Sequence, residues 1–225
     1  MTTSMKSQTN FWLRSKARRI IDRCFCSSTK GIQRIGDQNS GWTIQTRPPP
    51  RVAYCAGVGK GITFEVALAS ITSRPVLVLD PSPTGVDTVR ELDRSNILHN
   101  VEFFPVGLAA RAGVVEFSVP HDPGEGSYSV AHGDLEKVSF ECWSLATIMD
   151  RRGDTSIDLL KMDIEGFEYD IIDQLLNDKI PVRQICVEFH PWLQPGRTLR
   201  ILFRLYAAGY RIVYKHHGDY TFLQP

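Results

Sequence analysis

Glycine and acidic residues follow two apolar runs of this chain at a spacing that suits a nucleoside. The run 52–56 is followed by Gly57-Val58-Gly59, and the run Val76–Leu79 is followed by Asp80. Glycines lack a Cβ and let the backbone approach a ligand closely. An acid about 20 residues further along can accept hydrogen bonds from ribose hydroxyls. These residues therefore predict a nucleoside-binding site, although a plain turn capped by Asp80 is the structural alternative.

A second acidic segment follows the apolar run 157–162. Asp163, Glu165 and Glu168 lie within six residues at the end of this predicted strand. Asp163 and Glu165 would share a face if the strand continued, since side chains alternate along a strand. We interpret Asp163 as functional. Glu168 is interpreted as structural, because an acid in the first turn of a helix complements the helix dipole.

Glu188 lies near the end of the apolar run 182–189, and His190 follows that run directly. A carboxylate beside an imidazole can act as a general base couple, so we predict that His190, assisted by Glu188, removes a proton from a substrate. Asp163 is predicted to help place the reactants. An ion pair at the sheet edge is the alternative. Asp163, Glu188 and His190 could also hold a cation, but we assign no metal.

Strands and helices alternate beyond the stretch Arg47–Pro50, which predicts a parallel sheet with helices on both faces. The last two predicted strands are joined by a short turn that permits only antiparallel pairing. We therefore predict an α/β, doubly wound, mostly parallel seven-stranded sheet with an antiparallel last strand. A loop is expected at 119–135. The predicted strands are 52–56, 76–79, 101–104, 114–117, 157–162, 182–189, 210–214 and 220–223; the predicted helices are 62–72, 84–93, 141–150, 168–177 and 198–208.

The first 46 residues form a separate part of the predicted organisation. Residues 1–30 carry seven basic side chains and one acidic one, and apolar residues recur at helical spacing over 11–25. We divide the chain into a basic arm and lead-in, 1–46, and a main domain, 47–225. The arm is expected to pack on the domain or on a second copy of the chain; contact with an anionic membrane surface is the alternative.

Composition limits the classes of protein. The net charge of +1 gives no general reason to expect a nucleic acid partner. Five cysteines, two of them within apolar strand-like runs, suit a reducing cytoplasm better than a disulfide framework. No apolar run is long enough to span a bilayer, and the first residues lack the apolar core of a signal peptide.

Several motifs resemble those of the FkbM family of methyltransferases over most of 31–225. The most specific is Leu160-Lys161-Met162-Asp163-Ile164-Glu165-Gly166-Phe167-Glu168. The others are Gly41–Ile44, Ala56–Lys60 with Phe64, Leu79–Pro83, Phe104–Leu108, Val187–Pro191 and Asp219–Leu223.

The resemblance implies a class I, Rossmann-like methyltransferase fold with S-adenosylmethionine as methyl donor. It also implies that Ala56, Gly57 and Gly59 lie at the methionine end of the donor, Asp80 and Pro81 at the ribose, Gly107 and Leu108 near the adenine, and Asp163 near the sulfonium.

Members of this family often methylate hydroxyls of sugars or small metabolites, so O-methylation of a small-molecule or saccharide acceptor is expected. RNA methylation is one alternative, which the acidic residues of the main domain disfavour and with which the basic arm is compatible. Two further alternatives remain. One is a protein that binds the donor without catalysis. The other is a nicotinamide-dependent oxidoreductase, which Ile62 disfavours because the dinucleotide fingerprint has a small residue at that place.

Overall fold

The computed structural model describes residues 30–122, 124, 126–130 and 135–225. The amphipathic helix predicted at 11–25 lies outside these residues, so it stays a prediction. Among the helices of the described part, none has the length and apolar character needed to cross a bilayer.

A seven-stranded sheet forms the centre of the domain. In sheet order its strands are β12 Arg211–His216, β13 Asp219–Leu223, β11 Val182–Glu188, β10 Ile157–Met162, β3 Ala53–Ala56, β4 Val76–Leu79 and β5 Val101–Phe104. Neighbouring strands from β11 to β5 run parallel, whereas β13 is antiparallel to both β11 and β12. The predicted fold class, including the antiparallel last strand, is confirmed.

Helices cover both faces of this sheet, and the core alternates accordingly. Tyr54 and Ala56 of β3 pack into one apolar cluster, while Ala53 and Cys55 of the same strand pack into the other. This alternation is the period of two that a strand imposes. Burial on both faces explains why the parallel strands are continuous apolar runs. The helices are α1 Thr63–Ala69, α2 Pro83–Arg94, α3 Leu145–Arg152, α4 Glu168–Asn177 and α5 Arg197–Ala207.

A hairpin of β1 Ile32–Ile35 and β2 Trp42–Gln45 precedes the main sheet. Trp42 and Ile44 are buried in the same cluster as Ala53 and Cys55. The hydroxyl of Thr221 donates a hydrogen bond to the carbonyl of Thr43 at 2.6 Å. This hairpin therefore packs on the main domain. The division of the chain at residue 46 remains a prediction.

A second, four-stranded sheet of order β6-β9-β7-β8 lies beside the first. Its strands are β6 Gly107–Leu108, β7 Gly113–Ser118, β8 Ser129–Val130 and β9 Lys137–Trp143. The helix predicted at 141–150 is wrong in its first part. Residues 137–142 pair with β7, Trp143 pairs with Leu108 of β6, and the helix begins only at Leu145. Ser144 caps this helix by accepting the N–H of Thr147.

Candidate functional site

One row of residues follows directly after the paired ends of the central strands. Leu79, Ala56, Met162 and Val187 are register partners across β4, β3, β10 and β11. The next residue on each strand is Asp80, Gly57, Asp163 and Glu188, and Glu188 in turn pairs with Asp219 of β13. The strand order reverses between β3 and β10, which is where ligands bind in open α/β sheets.

A cavity of about 830 Å³ opens above this row. Most of the residues singled out from the sequence line it: Gly57, Gly59, Asp80, Pro81, Gly107, Leu108, Asp163 and Glu188. Ala56 and His190 do not line it. Ala56 is buried within β3 directly below, and His190 is buried behind Asp163 and Glu165. The volume lies in the usual range for small-molecule sites.

The turn after β3 needs glycine at its first position. Gly57 has a φ of +85°, and a Cβ there would overlap the carbonyl oxygen of Asp163. Its N–H donates to the carbonyl of Leu79 at 2.9 Å. Gly59 also has a positive φ, of +54°, but open space surrounds it. The close approach predicted for this turn is therefore a contact between the backbones of Gly57 and Asp163. Gly59 leaves open space in the cavity.

Asp80 joins two loops. Its Oδ2 accepts the N–H groups of Val58 and Gly59 at 2.7 and 3.2 Å, and its Oδ1 accepts the N–H of Ser82 at 2.8 Å. A carboxylate offers about four acceptor positions, so these three donors leave about one position for a ligand. Asp80 thus has the structural role that the sequence analysis gave as the alternative. Its hydrogen bonds join the Pro81–Pro83 turn to the glycine turn.

A buried ion pair supports the same turn from below. Lys161 donates a hydrogen bond to the carbonyl of Gly57, and its Nζ lies 3.4 Å from Oε1 of Glu65. Both side chains are almost completely buried. Burial alone would lower the pKa of Lys161, but the charges of Glu65 and Asp163 raise it, so the amine stays protonated. The sequence analysis did not single out Lys161 or Glu65 for this role.

One end of the cavity is rich in carboxylates. Asp163, Glu165, Glu188 and Asp219 all line it. Burial and the charge of Asp163 raise the pKa of Glu188 to about 7. The same two causes raise the pKa of Asp219. Electrostatic repulsion among these groups favours a cationic or hydrogen-bond-donating ligand at this end.

His190 is held by Glu168, which the sequence analysis assigned only to the helix dipole. Oε1 of Glu168 accepts the backbone N–H of His190 at 2.9 Å and lies 3.1 Å from its Nδ1; Oε2 accepts the N–H of Gly166 at 2.8 Å. The His190 side chain is only 3% exposed. Burial opposes its charge, but Glu168, Glu165 and Asp163 raise its pKa to about 9.

Other residues that line the cavity lie outside the motifs. The β1–β2 hairpin brings Arg34 and Asp37, and the β12–β13 turn brings His216 and His217. Gly126, Ser127 and Tyr128 come from the predicted loop 119–135. Arg34, Asp37, His216 and His217 lie outside the motifs, and their approach to the cavity depends on how distant segments pack.

The sequence profile of the methyltransferase FkbM domain matches residues 45–212, which is more than half of the 225-residue chain. No curated protein matches the chain significantly.

Three solved structures are similar at low identity. The methyltransferase FkbM from Methylobacillus flagellatus KT is 15% identical, with a TM-score of 0.49, over 77% of this chain and 43% of that protein. The METTL16 methyltransferase domain is 10% identical, with a TM-score of 0.45, over 76% of this chain and 58% of that domain. The TYW2 protein of M. jannaschii, solved in complex with AdoMet, is 12% identical, with a TM-score of 0.37, over 88% and 89%.

The matched part of this chain thus spans less than two thirds of the first two of these proteins. The family match confirms the resemblance found in the motifs. The chain belongs to the FkbM family of methyltransferases.

Proposed function

We propose that the protein transfers the methyl group of S-adenosylmethionine to a hydroxyl group of a sugar or a small metabolite. The observation that carries this proposal is the row Asp80, Gly57, Asp163 and Glu188 at the floor of one cavity, in a chain of a methyltransferase family. The cavity is large enough to hold a nucleoside and a small acceptor together.

The donor would lie across the first half of this row. Gly57 and Gly59 leave backbone space for the methionine end, Asp80 and Pro81 suit the ribose, and Gly107 and Leu108 suit the adenine. Ala56 is buried in β3 under the cavity and would support the donor site without lining it. The donor supplies an electrophilic methyl group on a sulfonium, and the carboxylate of Asp163 would attract that positive charge in the bound donor.

The acceptor would lie over the carboxylate-rich end, where Asp163, Glu165, Glu188 and Asp219 can accept hydrogen bonds from hydroxyl groups. This acidic end repels phosphates, so a nucleic acid acceptor is not proposed. A reducing cytoplasm is proposed as the location. The cysteines of the described residues, Cys55, Cys142 and Cys186, are buried and unpaired, in keeping with that location.

In the proposed reaction the acceptor oxygen attacks the methyl carbon in line with the carbon–sulfur bond, which breaks, while the hydroxyl proton leaves to a base. We assign that base to Glu188, because its carboxylate lines the cavity beside Asp163. His190 was expected to be the base, but it is buried and held between carboxylates. We therefore propose that His190 positions Asp163 and Glu165.

The proposal is tested in two steps on the full chain. Calorimetric titration with S-adenosylmethionine measures donor binding, and a donor radiolabelled in its methyl group then measures transfer to a panel of sugars and hydroxylated metabolites. Donor binding with no transfer to any acceptor would favour the non-catalytic alternative. Absence of donor binding by the folded chain would overturn the proposal.

Glu188→Gln tests the assignment of the base. We expect its kcat to fall by about 10²–10⁴-fold, the usual contribution of a general base, while the Kd of the donor stays within about 2-fold. The matched control is Glu91→Gln on the exposed face of α2, for which we expect unchanged kcat. An unchanged kcat in Glu188→Gln would remove Glu188 from the mechanism.

A further inference from the structure

Three side chains of metal-binding type converge at the carboxylate-rich end of the cavity. Nε2 of His190 lies 3.3 Å from Oε2 of Glu165 and 3.9 Å from Oδ1 of Asp163. One ligand atom from each of these residues lies within 4.8 Å of the other two. Atoms that share a cation at bond lengths of about 2.1 Å are themselves about 3–4 Å apart, so a small closure of this group would bring all three to one ion.

The imidazole is fixed in the orientation that a metal ligand requires. Oε1 of Glu168 lies 3.1 Å from Nδ1 of His190, and the Glu168 side chain has no exposed surface. Nδ1–H therefore donates to a buried carboxylate, and Nε2 faces Glu165 and Asp163. Histidines that bind metals characteristically donate their other ring N–H to a carboxylate or a carbonyl.

Nε2 of His190 lies at ion-pair distance from one oxygen of each carboxylate, and the His190 side chain is only 3% exposed. A metal ion bound between these atoms would take the place of the proton on Nε2, since a histidine nitrogen that binds a metal must be deprotonated. A buried imidazole directed at two partly exposed carboxylates distinguishes this group from an ordinary surface cluster of acids.

The backbone delivers Glu165 to this place in an unusual conformation. Glu165 has a φ of +50° and the next residue, Gly166, a φ of +102°. The N–H of Val130 donates to the carbonyl of Glu165 at 3.0 Å, and Glu168 accepts the N–H of Gly166. The turn is thus held from two sides while the carboxylates of Glu165 and Asp163 keep 26% and 39% exposure toward the cavity.

We propose that Asp163, Glu165 and His190 bind a divalent first-row metal ion, with Glu168 as the residue that orients His190. Two carboxylates and one imidazole suit ions such as Mn²⁺. Because Asp163 and Glu165 line the cavity, the remaining coordination positions would face the place of the acceptor. If the proposed methyl transfer is right, a hydroxyl bound there would lose its proton more readily. Only this last step rests on the proposed function.

The test uses the full chain without donor or acceptor, so its result is independent of methyl transfer. Mn²⁺ is titrated into the protein, and the electron paramagnetic resonance signal of free aqueous Mn²⁺ reports how much is bound. We expect one saturable site per chain. Glu165→Gln should weaken binding at least about 10-fold, and Glu168→Gln by about 10–100-fold, as for residues that orient metal ligands.

Asp219→Asn is the matched control, because Asp219 lines the same end of the cavity but lies outside the three-residue group. We expect it to keep wild-type Mn²⁺ affinity. Circular dichroism melting of each variant separates loss of the site from loss of the fold. The proposal is overturned if the wild-type chain binds no Mn²⁺, or if Asp219→Asn weakens binding as much as Glu165→Gln, since the latter would indicate only a general attraction to negative charge.

Discussion

The carboxylate of Asp80 accepts the backbone N–H of Val58 at 2.7 Å, and so it ties the end of β4 to the glycine turn after β3. The same side chain accepts the N–H groups of Gly59 and Ser82. Gly85 of α2 has no space for a Cβ because Asp80 lies against it. One buried acid therefore fixes three segments that border the cavity.

Asp80→Ala should affect both stability and donor binding. Its loss leaves backbone N–H groups without their charged acceptor, which should lower the free energy of unfolding by about 1–3 kcal/mol. We also expect affinity for the donor S-adenosylmethionine to fall at least about 10-fold, because the glycine turn loses its anchor. Chemical denaturation and calorimetry measure the two effects. Asp87→Asn, on the exposed surface of α2, is the control; donor affinity in Asp80→Ala equal to that of this control would contradict the anchoring role.

The two glycines of the turn should respond differently to alanine. At Gly59 only the left-handed backbone opposes a side chain, so Gly59→Ala should cost about 1–2 kcal/mol of stability. At Gly57 the added Cβ also overlaps Asp163, so Gly57→Ala should cost more and displace Asp163.

Gly153→Ala serves as the reference, since Gly153 is a left-handed helix cap with open space around it, away from the cavity. Thermal melting and donor titration are compared across the three variants. Equal losses in Gly57→Ala and Gly153→Ala would show that contact with Asp163 imposes no constraint.

The Lys161–Glu65 pair allows a test of charge burial. Lys161→Met removes one partner and leaves the Glu65 carboxylate buried without its cation, which should destabilise the fold by about 3–5 kcal/mol. Adding Glu65→Gln should recover part of that loss, because the isolated charge is gone. Denaturation of the two single variants and the double variant gives the coupling between them. Additive losses would mean that the two charges do not interact.

Asp154 should contribute to stability in a pH-dependent way. It accepts a hydrogen bond from Tyr54 at 2.6 Å and pairs with Arg74 and Arg152. Burial alone would raise its pKa, but these partners lower it below the usual 3.8. A lowered folded-state pKa means that the stabilisation is present in full above the unfolded pKa and is lost as the pH falls through the folded value.

Asp154→Asn should therefore lower the unfolding free energy by about 1–3 kcal/mol near neutral pH. The difference from the wild-type chain should shrink as the pH falls below about 5. Urea denaturation across this pH range measures it, with Asp87→Asn as the control. A difference that stayed constant down to low pH would contradict the role of the ionised carboxylate.

The sequence predicted the central strands and the residues after them because apolar strand runs, glycines and acids leave local signals. It failed at 141–143, where the predicted helix covered the end of a strand. That strand is set by pairing with β7 and β6, which are distant in the chain. Tertiary context decides such segments.

Glu168 and His190 show where local patterns stop being informative. An acid in the first turn of a helix has an ordinary explanation in the helix dipole, and a histidine after a strand suggests a base. Their contact at 3.1 Å joins residues on two different elements. No periodicity or spacing reports a side chain that turns away from the cavity to meet a buried partner.

From its sequence alone, the chain is recognisable as an α/β methyltransferase whose strands end in Gly57, Asp80, Asp163 and Glu188, because apolar periodicity and motif order are properties of neighbouring residues. Only the tertiary structure decided that these four residues stand in one register row, and that His190 lies buried behind it. Register and burial arise from the packing of segments far apart in the chain, and no local signal encodes them.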